Sequence, residues 1–333
     1  MKNNKAFLVI VASIILILMT SCFAVIEARN NLNETFAVLD VDYDGEVIKD
    51  LRYGDQPRNL YDLYLPEDIT NANAKHLILF IHGGSWTSGS KEDGEAYCRN
   101  FSEHGYTSAT ISYTLFADGY NPTILSINQE VKAAVIAIEA ECAERGITLK
   151  DMAVSGFSAG ACQALMYGLN TAEAYAGVPV KLILQESGPT SFEPSIWRSS
   201  AVHWTLKMQT GLDGSKEGDA AWISNFSGKK VTADMIGTAE ADAIWQEISP
   251  YTYVTSTSVP VLSAYGVYDG IVPPVSRIIL EGALKSAGKE EGKLDGYDTI
   301  VMEHSGHALA CDVDAQRQFL KLVYVYCDAC LID

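Results

Sequence analysis

Gly156-Phe157-Ser158-Ala159-Gly160 decides the reading of this chain. The apolar run Met152-Ala153-Val154 leads into it, and a helix-like run, Ala161 to Leu169, follows. A serine bracketed by glycines two positions away on each side, between a strand and a helix, is the nucleophile-elbow pattern. The glycines leave room for a tight turn that pushes the serine hydroxyl out of the backbone. The helix N-terminus behind it favours negative charge developing nearby. Gly and Ser are common residues, so the pentapeptide alone reads equally well as a plain strand-to-helix turn. Three other segments weigh against that.

Upstream, the strand-like run His76 to Ile81 ends in His82-Gly83-Gly84-Ser85-Trp86. Attack of a serine hydroxyl on an acyl carbon puts negative charge on the carbonyl oxygen, and backbone N–H groups aimed at that oxygen lower the barrier. Glycines after a strand let the backbone approach closely enough to donate them. Gly83 and Gly84, with the N–H of Ala159, are the candidate oxyanion hole; an ordinary glycine turn is the alternative. Trp86 beside this loop is a candidate wall of the substrate pocket, or a packing residue.

Downstream, Val259 to Gly266 reads as a buried strand running into Val267-Tyr268-Asp269-Gly270. Asp269 therefore falls just past a strand's C-terminal end, where α/β proteins place their chemistry. Tyr297 to Met302 is a further strand-like run, followed by Glu303-His304-Ser305-Gly306-His307-Ala308. Serine is a weak nucleophile without a base. An imidazole supplies one near neutral pH, and a carboxylate on its other nitrogen fixes the tautomer. Of the six histidines, His82 belongs to the glycine loop, His76 opens a strand, and His104 and His203 lie outside any such motif. His307, following Gly306 at a strand exit, is preferred as the base, with His304 as its rival. A zinc site from His304, His307 and Cys311 matches no known ligand spacing. The order Ser158, Asp269, His307 is that expected of an α/β-hydrolase.

With these motifs in place, the chain resembles the α/β-hydrolase superfamily, most closely its acetyl-, feruloyl- and carboxylesterase branch, related to hormone-sensitive-lipase-like and prolyl-oligopeptidase-like hydrolases. The resemblance runs from about Leu60 to about Val323. It includes Leu60-Tyr61-Asp62-Leu63-Tyr64-Leu65-Pro66, Gly105-Tyr106 through Tyr113, Ser187-Gly188-Pro189-Thr190 and Ser249-Pro250-Tyr251. It implies a nucleophile at Ser158, a base at His307, an orienting acid at Asp269 and an oxyanion hole at Gly83, Gly84 and Ala159, with no metal or organic cofactor. Three departures bear on sub-family: Gly160-Ala161-Cys162 after the elbow, Ser85 where lipases carry a third glycine, and Tyr113-Thr114 where a Tyr-Arg pair is familiar.

The chain has 333 residues. Lys2 and Lys5 precede the apolar run Ala6 to Met19, a charged n-region and an h-region. Met19-Thr20-Ser21-Cys22 then resembles a lipoprotein cleavage site, which would make Cys22 the lipid-bearing N-terminus. Cleavage after Ala24 or Ala28, or an uncleaved anchor, are the alternatives. All three put the catalytic domain outside the cytoplasm. Residues 1–30 are thus expected to be signal and tether, and residues 31–333 one α/β domain with a large core. Net charge is −18. Losing Lys2 and Lys5 leaves 22 basic against 42 acidic residues, a net of −20. That disfavours nucleic acid and anionic membrane as partners. The expected partner is a small-molecule or polysaccharide-linked ester, with membrane contact only through the N-terminal lipid or anchor. Without Cys22 six cysteines remain, an even number compatible with disulfides. Cys327-Asp328-Ala329-Cys330 reads as a terminal staple or as free thiols, and Cys162 as a small packed residue.

Strand-like and helix-like segments alternate after a hairpin assigned to Phe36–Val41 and Asn59–Leu65 about the turn Gly54-Asp55. Ile127, Val131, Val135, Ile138 and Cys142 recur at helical spacing. So do Ala315, Phe319, Leu322 and Tyr326. The expected fold is the α/β-hydrolase fold: a mostly parallel central sheet, helices on both faces, and a small helical cap insertion over about residues 191–246. That insertion holds Trp197, Trp204, Trp222 and Trp245. They either stack on an aryl or sugar group or fill the cap's own core. A serine carboxylesterase of acetyl or feruloyl esters on polysaccharides is the expected function. A serine peptidase or amidase of the same fold, or a non-catalytic binding protein on a hydrolase scaffold, are its rivals.

Overall fold

The computed structural model describes residues 38–170, 177–198 and 212–332. The expected signal and tether, Cys22, His203 and Trp204 lie outside the described residues.

Eight strands form one sheet: β1 (Glu46–Arg52), β2 (Leu60–Leu65), β3 (His76–Ile81), β4 (Thr107–Ser112), β5 (Asp151–Phe157), β6 (Val180–Glu186), β7 (Val261–Gly266) and β8 (Tyr297–Met302). Their spatial order is β1-β2-β4-β3-β5-β6-β7-β8. β2 runs antiparallel to both its neighbours, and every pair from β4 to β8 is parallel. Central strands buried on both sides read as continuous apolar runs, and β3, His-Leu-Ile-Leu-Phe-Ile, is buried at every position. Successive residues of a strand point to opposite faces. Leu77, Leu79 and Ile81 accordingly join one core cluster, while Ile78 and Phe80 face the other side.

On the first face lie α2 (Ile124–Glu144), α3 (Ala159–Leu169) and α7 (Val275–Ser286); on the second lie α1 (Glu95–Glu103) and α8 (Val313–Cys330). Thr123 and Ser126 cap α2 reciprocally, Ser126 N donating to Thr123 Oγ1 and Thr123 N to Ser126 Oγ. That satisfies amides left open at a helix start. The connection from β6 to β7 carries α4 (Pro194–Trp197), α5 (Lys216–Ser227) and α6 (Ala239–Glu247). Their aromatic side chains pack on one another and on Trp86. Trp197 and Trp222 ring centroids lie 5.0 Å apart, Trp222 and Phe226 4.6 Å, and Trp86 and Phe226 5.3 Å.

One expectation is corrected here. The N-terminal hairpin is β1–β2, and residues 38–41 form no strand. β1 was hidden because Glu-Val-Ile-Lys-Asp-Leu-Arg lacks an apolar run. It is the sheet's edge, where charged side chains guard against further strand pairing. The six described cysteines carry no disulfide. Cys98, Cys142, Cys162 and Cys327 are buried in packed layers, where each behaves as a small apolar side chain.

Candidate active site

The pieces of the site all leave the C-terminal ends of parallel strands. The oxyanion-loop candidate follows β3, Ser158 follows β5, Asp269 follows β7 and His307 follows β8. In an open parallel sheet this rim is where ligands bind.

Ser158 has φ 55° and ψ −119°. A non-glycine residue held there stores on the order of 1–3 kcal/mol of strain, which the surrounding structure must enforce. Its N–H donates to Glu186 O (2.8 Å) and its carbonyl accepts from Cys162 N (3.1 Å). The flanking glycines are steric necessities. A Cβ on Gly156 would stand 2.5 Å from the Gly160 backbone, and one on Gly160 would stand 2.0 Å from Ile81 O.

His307 Nε2 lies 2.8 Å from Ser158 Oγ, and His307 Nδ1 lies 2.8 Å from Asp269 Oδ2. With the proton on Nδ1 donated to Asp269, the Nε2 lone pair accepts from the serine hydroxyl. Asp269 Oδ1 accepts from Ile271 N (2.8 Å) and Val272 N (2.9 Å). Its side chain is 1% exposed and that of His307 14%. The carboxylate is thus held on both oxygens and shielded from water, while the imidazole keeps one edge open. His304 is elsewhere: its ring is 80% exposed and pairs with Asp312 at 2.9 Å.

The loop carrying His307 is tied down by Ser187, Ser305 and Asp312, the last of which sequence reading did not single out. Asp312 Oδ2 accepts from His304 N and from Ser305 Oγ, and Ser305 Oγ accepts from Cys311 N. Ser187 Oγ donates to the His307 carbonyl (3.1 Å). Tyr268 N donates to Ser305 O (3.0 Å), which joins the acid loop to the base loop. Gly266 was the available signal for this closeness, since a Cβ there would meet Gly306 O at 2.4 Å.

Gly83 touches the elbow: a Cβ on it would come within 3.1 Å of Ser158 Cβ. Gly84 has φ 102°, and its carbonyl accepts from Thr87 N and Ser88 N. The Gly83 carbonyl receives His82 Nδ1 (2.7 Å) and Tyr113 Oη (3.4 Å). His82 is buried and stacks on Tyr113 with ring centroids 4.2 Å apart. Burial pushes its imidazole down to about 4, so it stays neutral and donates from Nδ1. Ala159 opens α3, and first-turn amides have no partner inside their own helix. Gly83 and Ala159 thus lie beside Ser158, and Gly84 follows Gly83 in the same loop.

Trp86, Phe116, Trp197, Trp222, Phe226 and Val272 wall a cavity of about 190 Å³ that reaches Ser158 and Ala159. Trp197 Nε1 and Trp222 Nε1 are satisfied by the carbonyls of Ser191 and Phe192, both at 2.9 Å. These two rings are therefore at once the cap's packing and a wall of the site. Trp245 is not among the lining residues and bonds Asp242. A hydroxyl on an imidazole, a buried carboxylate behind it and backbone amides beside it can carry out nucleophilic acyl transfer.

Residues 61–284 match the model of the BD-FAE family. The chain belongs to the BD-FAE family. A curated relative, "Probable isoprenylcysteine alpha-carbonyl methylesterase" of Arabidopsis thaliana, is 37% identical over 170 residues, which is 50% of this chain and 31% of that protein. The chain spans about a third or less of the length of the curated relatives it matches first. Among solved structures, esterase B of Lactobacillus rhamnosis superposes with a TM-score of 0.65 at 18% identity, covering 94% of this chain and 96% of the other. A truncated carbohydrate esterase from gut microbiota gives 0.65 at 17% identity, covering 87% and 98%. These superpositions show that this BD-FAE chain has the α/β-hydrolase fold.

Proposed function

We propose that this chain is a serine carboxylesterase working through an acyl-enzyme. The observation that carries the reading is the unbroken relay of two 2.8 Å contacts from Ser158 Oγ through His307 to Asp269. Ser158 Oγ attacks the ester carbonyl carbon as His307 Nε2 takes its proton. Asp269 holds the imidazolium that forms, and the amides of Gly83, Gly84 and Ala159 hold the oxyanion. Collapse breaks the C–O bond to the alcohol, which leaves with the proton from His307. Water then attacks the acyl-enzyme by the same steps in reverse order and frees the acid.

The cavity of about 190 Å³ lies below the ~300–1,000 Å³ of drug-sized pockets. It suits a compact acyl group or a single ring, and its aromatic walls favour an apolar one. Acetyl and feruloyl esters on polysaccharides, met outside the cytoplasm, fit this reading. The names of the relatives, a methylesterase and a carbohydrate esterase, agree with ester chemistry.

The test is hydrolysis of a short aryl acetate by purified protein. Wild type should turn over, and Ser158→Ala should lose at least about 10³-fold in kcat/KM. Equal rates in the two proteins would refute the reading. Acetyl, butyryl and feruloyl esters, with acetylated xylan, then rank the substrates.

A further inference from the structure

A second cavity, of about 890 Å³, lies on the opposite side of the elbow from the cap. It sits between the sheet and helices α1 and α8, walled by Phe80, Phe101, Leu184, Phe319 and Val323. It is more than four times the volume of the cap-side cavity. It also reaches the candidate catalytic rim: Gly83 and Gly84 line it, as do Phe157 and Ala308, the chain neighbours of Ser158 and His307. The Phe157 ring stands between this chamber and the base, with its centroid 5.1 Å from that of His307.

The chamber's chemistry restricts its guest. Its walls are mostly aromatic and aliphatic. The one carboxyl deep inside, Glu186, is already served by hydrogen bonds from Tyr97 and Gln316. Its mouth carries Asp40, Glu92, Asp93 and Glu95 with Arg99; Glu92 pairs with Lys91, and Glu95 with Lys49 and Arg99. Such an interior rewards apolar surface and penalises a buried charge.

We propose that this chamber is a second substrate compartment, which takes an extended, uncharged apolar arm of the ester while the compact half occupies the cap-side cavity. The inference rests on the esterase reading above. It adds that the two halves of the substrate differ in size, with the scissile bond at Ser158 between them.

Two ester series test it. One lengthens the acyl chain on a fixed methanol, and the other lengthens the alcohol on a fixed acetate. In one series kcat/KM should rise about two- to fourfold per added methylene up to medium chain length, and which series does so tells which half enters the chamber. Phe319→Trp and Val323→Phe, which fill the chamber from α8, should abolish that rise while leaving methyl acetate turnover within about twofold, which also reports folding. A carboxylate at the end of the longer arm should abolish the gain. Binding of 1-octanol to Ser158→Ala protein, followed calorimetrically, reads the chamber without turnover and should weaken at least tenfold on adding Phe319→Trp. Both series flat, or a rise that both filling variants leave intact, would overturn the compartment even where short esters are hydrolysed. Octanol binding lost with Phe319→Trp in a protein that hydrolyses no ester would keep the compartment and sink the esterase reading alone.

Discussion

His307 and His304 differ by three positions and have much the same chemistry: each offers Nδ1 to an aspartate, at 2.8 and 2.9 Å. What separates them is Ser158, which only His307 reaches. The sequence around them carries both imidazoles and one glycine, Gly306, between them, so it narrows the base to a pair. The choice between them depends on how Asp312 and Ser187 fold the loop, and the Ser187 contact joins residues far apart in the chain. His307→Ala is expected to lower kcat/KM by at least about 10³-fold. His304→Ala should change it by no more than about threefold, because an exposed ion pair contributes little. Parallel kinetics on an aryl acetate check this, and the reverse ranking would name His304 as the base.

Among the elements, those with an uninterrupted apolar run were legible. β3 and β8 begin and end where the pattern says, and the α2 stripe from Ile127 to Cys142 lies inside Ile124–Glu144. β1 was not, because no position of it is buried: all seven residues are exposed or half-buried, so neither face enforces an apolar alternation. The cysteine count left the pairing open because an even number states nothing about distance; the six described cysteines are free thiols. The elbow is the element under most constraint. Gly160→Ala would drive a methyl to 2.0 Å from Ile81 O, a backbone atom that cannot move alone. It should destabilise the fold by roughly 1–3 kcal/mol or more and impair activity beyond that. Gly282 sits in α7 with nothing within 4 Å of its Cβ position, so Gly282→Ala should stabilise by about 0.5–1 kcal/mol. Thermal melts of the two variants check the contrast, and equal shifts would show that the elbow has slack.

The molecule as a whole places one reactive rim over two chambers of unequal size, and a buried acid couples that architecture to pH. Burial raises the Glu186 carboxyl from 4.5 to about 7. Between those values the unfolded chain gives up this proton while the folded protein keeps it. The stability linked to Glu186 is therefore greatest below about pH 4.5 and declines until about pH 7, by on the order of 3 kcal/mol. Glu186→Gln stays neutral throughout. The unfolding free energy of wild type minus that of the variant, from urea melts, should fall by about that amount between pH 4.5 and 8; a constant difference would contradict it. The central claim, however, concerns the rim: that a hydroxyl, an imidazole and a carboxylate drawn from three strand ends act as one nucleophilic unit. Covalent labelling with a fluorophosphonate, mapped by peptide mass spectrometry, tests this most directly. The adduct should form on Ser158 in wild type and disappear in both Ser158→Ala and His307→Ala. A label on another residue, or one that survives loss of His307 at the wild-type rate, would contradict it.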